Sequence, residues 1–97
     1  MTRLLVSYEW VTEELDEHGD IAYVNGWGSF LGAVTFAKSL APQKVDIALT
    51  ASWGHEDVGL KDREYAYLEG GKLPDTLDGG HKVPKRFHDE VSNAAQT

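Results

Sequence analysis

One stretch of the sequence decides the fold: VDIALTASW, at residues 45–53. Its side chains alternate, so that Ile47, Leu49 and Trp53 fall on one face and mostly small or polar residues fall on the other. Because successive side chains of a strand point to opposite sides, this period of two predicts a β-strand with one buried face. We therefore expect a strand at residues 45–53, with Trp53 directed toward the core.

Two strands are predicted before this stretch. Residues 4–11 alternate in the same way, with Trp10 on the inward side, and residues 21–25 form a short apolar run that ends at the turn signal Asn25-Gly26. We expect these two strands to pair as a hairpin. The acidic residues 12–20 are expected to form a polar connection between them.

One more strand is predicted after it. Residues 64–69 carry Tyr65 and Tyr67 on one face, and residues 54–62 read as the loop that precedes them. The edge of such an aromatic-rich strand invites pairing with another chain. We therefore expect this strand to lie in an interface, either with a second copy in a homodimer or with a target protein.

Two segments show the 3.6-residue period of a helix. Apolar residues recur through residues 30–40 behind Ser29, whose hydroxyl is suited to capping a first turn, and Pro42 ends the segment. A second helix is expected to begin with Pro84 at its first position and to present an apolar stripe that includes Phe87. Residues 95–97 are expected to fray.

The predicted order of elements is β-β-α-β-β-α. It suits an α+β domain in which about four antiparallel strands form a sheet with helices packed on one face. A chain of 97 residues fits one domain, spanning residues 1–97. The absence of cysteine excludes a disulfide scaffold, thiol chemistry and cysteine-ligated zinc.

The charge of the chain limits its partners. Its formal net charge is −7, and residues 1–37 hold six acidic residues against Arg3 alone. Nucleic-acid binding requires a basic stripe, so the balance disfavours direct binding of DNA or RNA. The longest mostly apolar run, residues 30–37, is far shorter than the roughly 20 residues of a membrane span, and residues 1–6 do not resemble a signal peptide. We expect a cytoplasmic protein without a membrane partner.

The sequence contains no pattern that predicts catalysis. GWGSFLG, at residues 26–32, has the spacing G-x-G-x-x-x-G rather than that of a dinucleotide site, and its helix N-terminus is at most a free place for one anionic or aromatic group. The four histidines do not form a metalloprotease motif, and no serine lies in a nucleophile elbow. We expect no enzyme activity, no catalytic residue and no cofactor. We also expect no metal site, because the acidic segment lacks the ligand spacing of a calcium loop.

The candidate partner-binding residues combine acidic side chains of the first third with aromatic side chains of the glycine-flanked turn and the last strand. They are Glu9, Glu13, Glu14, Asp16, Glu17, Asp20, Trp27, Tyr65 and Tyr67. Acidic surfaces accelerate and orient association with basic partners, and aromatic residues dominate interface hot spots.

The leading interpretation is a small acidic, non-catalytic protein–protein interaction module whose partner has a basic or mixed-charge surface. Inhibitors, immunity proteins and phage-encoded proteins that block host or defence factors include domains of this composition, which is a class analogy. One alternative is a small-ligand, nucleotide-like binding protein with a pocket formed by the Trp27 turn and the strand of Tyr65 and Tyr67. Another alternative is a structural subunit of a larger assembly.

Overall fold

The computed structural model describes residues 3–95 as four strands and two helices. Strand β1 spans Leu4–Leu15, β2 Ile21–Trp27, β3 Val45–His55 and β4 Gly59–Tyr67; helix α1 spans Phe30–Ser39 and α2 Lys85–Ala94. The predicted order of elements and the single α+β domain are confirmed. Of residues 95–97, which were expected to fray, Ala95 is the C-cap of α2, and residues 96 and 97 lie outside the described residues.

The four strands form one antiparallel sheet in the order β2-β1-β3-β4. The two long strands β1 and β3 are its centre and pair from Leu4 opposite His55 to Glu14 opposite Val45. The predicted hairpin of β1 and β2 is confirmed. Helix α1 therefore connects the edge strand β2 to β3 and passes over β1, which lies between them in the sheet.

Both helices pack on the face of the sheet that carries Trp10. The Trp10 ring is 2% exposed and contacts Phe30 of α1 at a centroid distance of 4.9 Å and Phe87 of α2 at 5.9 Å. Leu49, opposite Trp10 on β3, is fully buried in the same cluster. This arrangement confirms the prediction of helices on one face.

The prediction of a polar connection over residues 12–20 is wrong, because β1 continues to Leu15. The polar side chains in this part of β1 find partners inside the fold. Thr12 accepts a hydrogen bond of 2.9 Å from the indole of Trp27, and Glu13 accepts one of 2.8 Å from the hydroxyl of Tyr67. Only residues 16–20 remain as the hairpin turn.

The predicted loop over residues 54–62 is also mostly strand. β3 continues to His55 and β4 begins at Gly59, which leaves residues 56–58 as a tight turn. The register shifts after Trp53, where a Cβ on Gly54 would overlap the carbonyl oxygen of Gly59. Gly54 therefore permits a close approach between the backbones of β3 and β4. From composition alone, this glycine suggests a loop.

The helix boundaries agree with the sequence to within a residue or two. Ser29 caps α1 by accepting a hydrogen bond of 3.1 Å from Gly32 N. Pro84 is the N-cap of α2 rather than its first helical residue. Within residues 3–95, neither helix is long and apolar enough to cross a membrane.

Candidate functional site

The side of the sheet that faces away from the helices is called the open face here. Because Trp10 and Leu49 point toward the helices, their neighbours along each strand point the other way. The register places these positions of the central part of the sheet on the open face: Glu9, Val11, Glu13, Val24, Gly26, Asp46, Ala48, Thr50, Tyr65 and Tyr67. Ser7, Ser52 and Arg63 continue the same face beyond Glu9, Thr50 and Tyr65.

Two tyrosines on β4 cover the centre of the open face. The rings of Tyr65 and Tyr67 stack with their centroids 5.8 Å apart and their planes 12° from parallel. The hydroxyl of Tyr67 reaches Glu13 on β1, although β3 lies between the two strands. The Tyr67 ring must therefore lie across Ala48, which stands opposite it on β3 and is fully buried.

Burial of Tyr67, together with its hydrogen bond to Glu13 and the negative charges of Glu13 and Asp46, raises the pKa of its hydroxyl far above the ordinary range of tyrosine. The hydroxyl therefore stays protonated and acts as a donor. Glu13 is only 5% exposed, so its carboxylate serves this internal contact rather than the surface. The pair fixes both the ring and the carboxylate in one arrangement.

The structure divides the predicted acidic segment among different surfaces. Glu9 is exposed on the open face, with its carboxylate over Gly26, whereas Glu14 lies on the helix side of β1 and accepts a hydrogen bond of 3.3 Å from Asn25. Because successive side chains of a strand point to opposite faces, acidic residues that are close in the sequence lie on different faces of the sheet.

The remaining three acidic residues form the exposed hairpin turn between β1 and β2. Asp16 accepts hydrogen bonds from the backbone N–H groups of His18, at 2.9 Å, and Asp20, at 3.0 Å, so its carboxylate shapes the turn. Glu17 and Asp20 are exposed beside it. The turn thus carries a concentrated negative charge at one end of the sheet.

Trp27 and the tyrosine pair lie on opposite faces and at opposite edges of the sheet. The Trp27 ring is half-buried on the helix side and packs against Phe36, with the ring centroids 4.9 Å apart and the planes tilted by 38°. Strands β1 and β3 separate it from Tyr65 and Tyr67. The predicted pocket shared by these three residues is therefore not formed within one chain.

The N-terminus of α1 is not free, contrary to expectation. The backbone N–H of Phe30 donates a hydrogen bond of 2.7 Å to Glu90, whose other carboxylate oxygen accepts from the indole of Trp10 at 3.1 Å. Sequence reasoning missed Glu90. Its position three residues after Phe87 places it on the inward side of α2, and that spacing is a signal that could have found it.

Asp78 was also missed, and it covers part of the edge of β4. Its backbone N–H donates to the carbonyl of Tyr65 at 2.8 Å, and its carboxylate accepts from Tyr65 N at 2.9 Å. The edge predicted to pair with another chain is thus occupied at Tyr65 by the chain's own loop. No local pattern around Asp78, in a glycine-containing loop, indicates this contact.

A concavity lies on the helix side of the sheet. It is a groove of about 550 Å³ between α1, α2 and the start of β3, and its apolar lining includes Leu31, Val34, Ile47 and Leu68. Leu31 is 56% exposed at its rim. No group of three or more potential ligand side chains within residues 3–95 is placed to hold a metal ion.

Comparison of the chain with protein-family models, with curated proteins and with solved structures gave no match. The open face, the hairpin turn and the groove are the candidate binding surfaces of residues 3–95.

Proposed function

We propose that the chain is a small acidic, non-catalytic module that binds a protein partner of basic or mixed charge through its open face. The observation that carries this proposal is the stacked pair Tyr65 and Tyr67, on the same face of the sheet as the carboxylates of Glu9 and Asp46. Aromatic side chains supply contact area and carboxylates select basic groups, which is the chemistry of an interface centre.

The tyrosine pair is ordered before any partner arrives. Stacking holds Tyr65 against Tyr67, and the hydrogen bond to Glu13 holds Tyr67 across β3. Immobilising a free side chain at an interface costs roughly 0.5–1.5 kcal/mol, so rings that are already fixed bind with a smaller entropic loss. This preorganisation supports a recognition role for the open face.

The hairpin turn supports the proposal through its charge. Asp16, Glu17 and Asp20 are exposed together at one end of the sheet, on a chain whose formal net charge is −7. Such a field draws a basic surface toward the sheet and raises the rate of association. In this proposal the turn steers the partner and the open face holds it.

The finer proposal is that the partner is a host or defence factor and that the module blocks it in the cytoplasm, as inhibitors, immunity proteins and phage-encoded proteins of similar composition do. Its support is the class analogy of a small, acidic, cysteine-free domain. Direct binding of nucleic acid is not part of the proposal.

The experiment is an affinity capture from lysate with three immobilised forms: the wild type, Glu9→Gln with Tyr65→Ala, and the control Glu56→Gln. Glu56 is exposed in the turn between β3 and β4, away from the open face, and the control removes the same charge. Proteins retained at low salt are identified by mass spectrometry and then tested singly for binding.

A specific partner should be retained by the wild type and by Glu56→Gln and lost from the open-face variant. It should also be released by raised salt, because the attraction is partly between exposed charges. Equal retention by all three forms would show that the open face does not bind the partner.

The groove between the helices supports a second candidate function, the binding of a small apolar ligand. Its volume of about 550 Å³ lies in the range of ordinary ligand sites, about 300–1,000 Å³. A ligand present at a hundred times its Kd adds about 2.7 kcal/mol to the free energy of unfolding. A thermal-shift screen of apolar and nucleotide-like compounds, repeated with Val34→Trp to fill the groove, tests this candidate.

A further inference from the structure

Among the described residues 3–95, none pairs with the outer edge of strand β2. All its residues are exposed except Trp27, which is half-buried, and the segment 21–27 contains neither a charged residue nor a proline. Natural edge strands are usually protected by charge, proline or a covering loop, as β4 is by Asp78. β2 has one protection of another kind, a bulge at its start opposite Glu14 and Leu15. Beyond this bulge the strand is regular.

The hydrogen-bonding pattern shows which backbone groups of β2 point outward. Leu15 N donates to Lys44 O on the β3 side, so the odd-numbered residues of β1 bond toward β3 and the even-numbered ones toward β2. The partners of those even-numbered residues are Tyr23, Asn25 and Trp27. Val24 and Gly26 therefore direct their N–H and C=O groups away from the sheet.

The geometry points to a second copy of the chain as the occupant of this edge, paired antiparallel through β2 about a two-fold axis at Asn25. The regular part of β2, residues 23–27, is centred on Asn25. With that axis, Val24 of each copy stands opposite Gly26 of the other, and about four backbone hydrogen bonds form. The two sheets join into one continuous sheet.

The side chains of β2 suit this register. Tyr23 is 67% exposed, and in the paired arrangement it lies opposite Trp27 of the second copy, on the helix side. The two Asn25 side chains meet at the axis, where each amide can donate to the other. No like charges oppose each other along the paired segment, because it holds none.

The self-complementary register favours a second copy over an unrelated strand, because Val24 and Gly26 of one copy meet Gly26 and Val24 of the other about the axis. In the paired arrangement the acidic hairpin turn of each copy passes Gly28 of the other and extends toward the end of β1 that carries Tyr8. Arg86 lies over the Tyr8 ring at 5.3 Å on that side. The acidic turn of one copy therefore lies at the same end as the basic Arg86 and the acidic Glu9 of the other, so one attraction and one repulsion act across the dimer there.

A pairing of two short strands buries less than a standard interface of about 1,600 Å². We therefore expect a weak dimer, with a Kd on the order of 10–100 μM. The dimer leaves both open faces uncovered, so the surface proposed to hold the partner stays free, whereas the hairpin turn lies next to the second copy.

The first test is a cross-link that depends on the register. The chain has no cysteine, so Asn25→Cys introduces a single thiol at the two-fold axis, and Asn93→Cys introduces one on the exposed side of α2 as the matched control. The two Asn25 residues would stand opposite each other as a non-hydrogen-bonded pair, because the backbone groups of each bond to its own β1. The Cα atoms of such a pair are about 4.5 Å apart, which is within reach of a disulfide. Under mild oxidation, Asn25→Cys should form a covalent dimer at least about tenfold faster than Asn93→Cys. Equal rates would overturn the proposal.

The second test is sedimentation equilibrium of the wild type, Tyr23→Lys and Val58→Lys from low to high micromolar concentration. Tyr23 and Val58 are both exposed, and the two variants add the same charge, but Val58 lies in the turn before β4, away from β2. Tyr23→Lys should weaken dimerisation at least about tenfold, because an edge lysine opposes strand pairing, and Val58→Lys should not. A wild type that stays monomeric throughout, or equal effects of the two variants, would overturn the proposal.

Discussion

The hydroxyl of Tyr67 donates a hydrogen bond of 2.8 Å to the carboxylate of Glu13, two strands away across β3. The contact requires a small residue at Ala48 beneath the ring and a carboxylate at the right position on β1. It makes Glu13 part of the fold rather than of the acidic surface. It also holds the tyrosine pair in place on the open face.

Removing this hydroxyl should destabilise the protein. In Tyr67→Phe the carboxylate of Glu13, 5% exposed, loses its donor, and the free energy of unfolding should fall by about 1–3 kcal/mol. Urea denaturation measures the change. Tyr65→Phe is the matched control, because the Tyr65 hydroxyl makes no hydrogen bond within residues 3–95; it should change the value by less than about 0.5 kcal/mol. Equal effects would contradict the contact.

Stability should fall at alkaline pH through the same hydroxyl. The pKa of Tyr67 is raised in the folded state, mainly by burial, whereas an unfolded tyrosine ionises near pH 10. The unfolded state therefore loses the proton first, and stability is present in full below about pH 10 and declines as the pH rises beyond it. Unfolding free energies at pH 8 and pH 11 should show a smaller decline for Tyr67→Phe than for the wild type or Tyr65→Phe.

Glu90 should be a major stabilising residue despite its position on a surface helix. Glu90→Ala leaves the buried indole of Trp10 and the first amide of α1 without their acceptor, so the free energy of unfolding should fall by about 2–4 kcal/mol. Asp89→Ala removes an adjacent carboxylate that pairs with Lys85 on the exposed side, and it should cost less than about 1 kcal/mol. Chemical denaturation measures the free energy of unfolding of both variants. Similar losses of stability in the two would contradict this role of Glu90.

Gly54 should tolerate no side chain. A Cβ there would overlap the backbone of Gly59, which cannot move without breaking the hairpin of β3 and β4, so Gly54→Ala should cost at least about 3 kcal/mol. At Gly28 a Cβ would meet nothing within 4 Å, so Gly28→Ala is the matched control and should change stability little. A melting temperature of Gly54→Ala close to that of the control would show that the bulge can relax.

Local patterns predicted the helices and strands correctly wherever apolar side chains recur with one helical or strand period without interruption. The apolar stripe and cap of α1 and the alternation in β3 were sufficient, because each helix or strand there buries one side against the same core. The patterns failed at residues 12–15 and 59–62, where polar residues belong to strands. Thr12 and Glu13 are buried only because Trp27 and Tyr67, distant in the sequence, supply their hydrogen bonds.

The sequence by itself determined the α+β class, the order of the elements, and the aromatic and acidic residues from which a binding surface could be made, since composition and periodicity are local properties. Only the tertiary structure decided how those residues are grouped. Strand alternation sent Glu9 and Glu14 to opposite faces, pairing drew Glu13 under Tyr67, and a loop contact from Asp78 left β2 rather than β4 as the uncovered edge. These outcomes depend on which strands become neighbours, because a buried polar group needs a partner and that partner is supplied by register rather than by proximity in the chain.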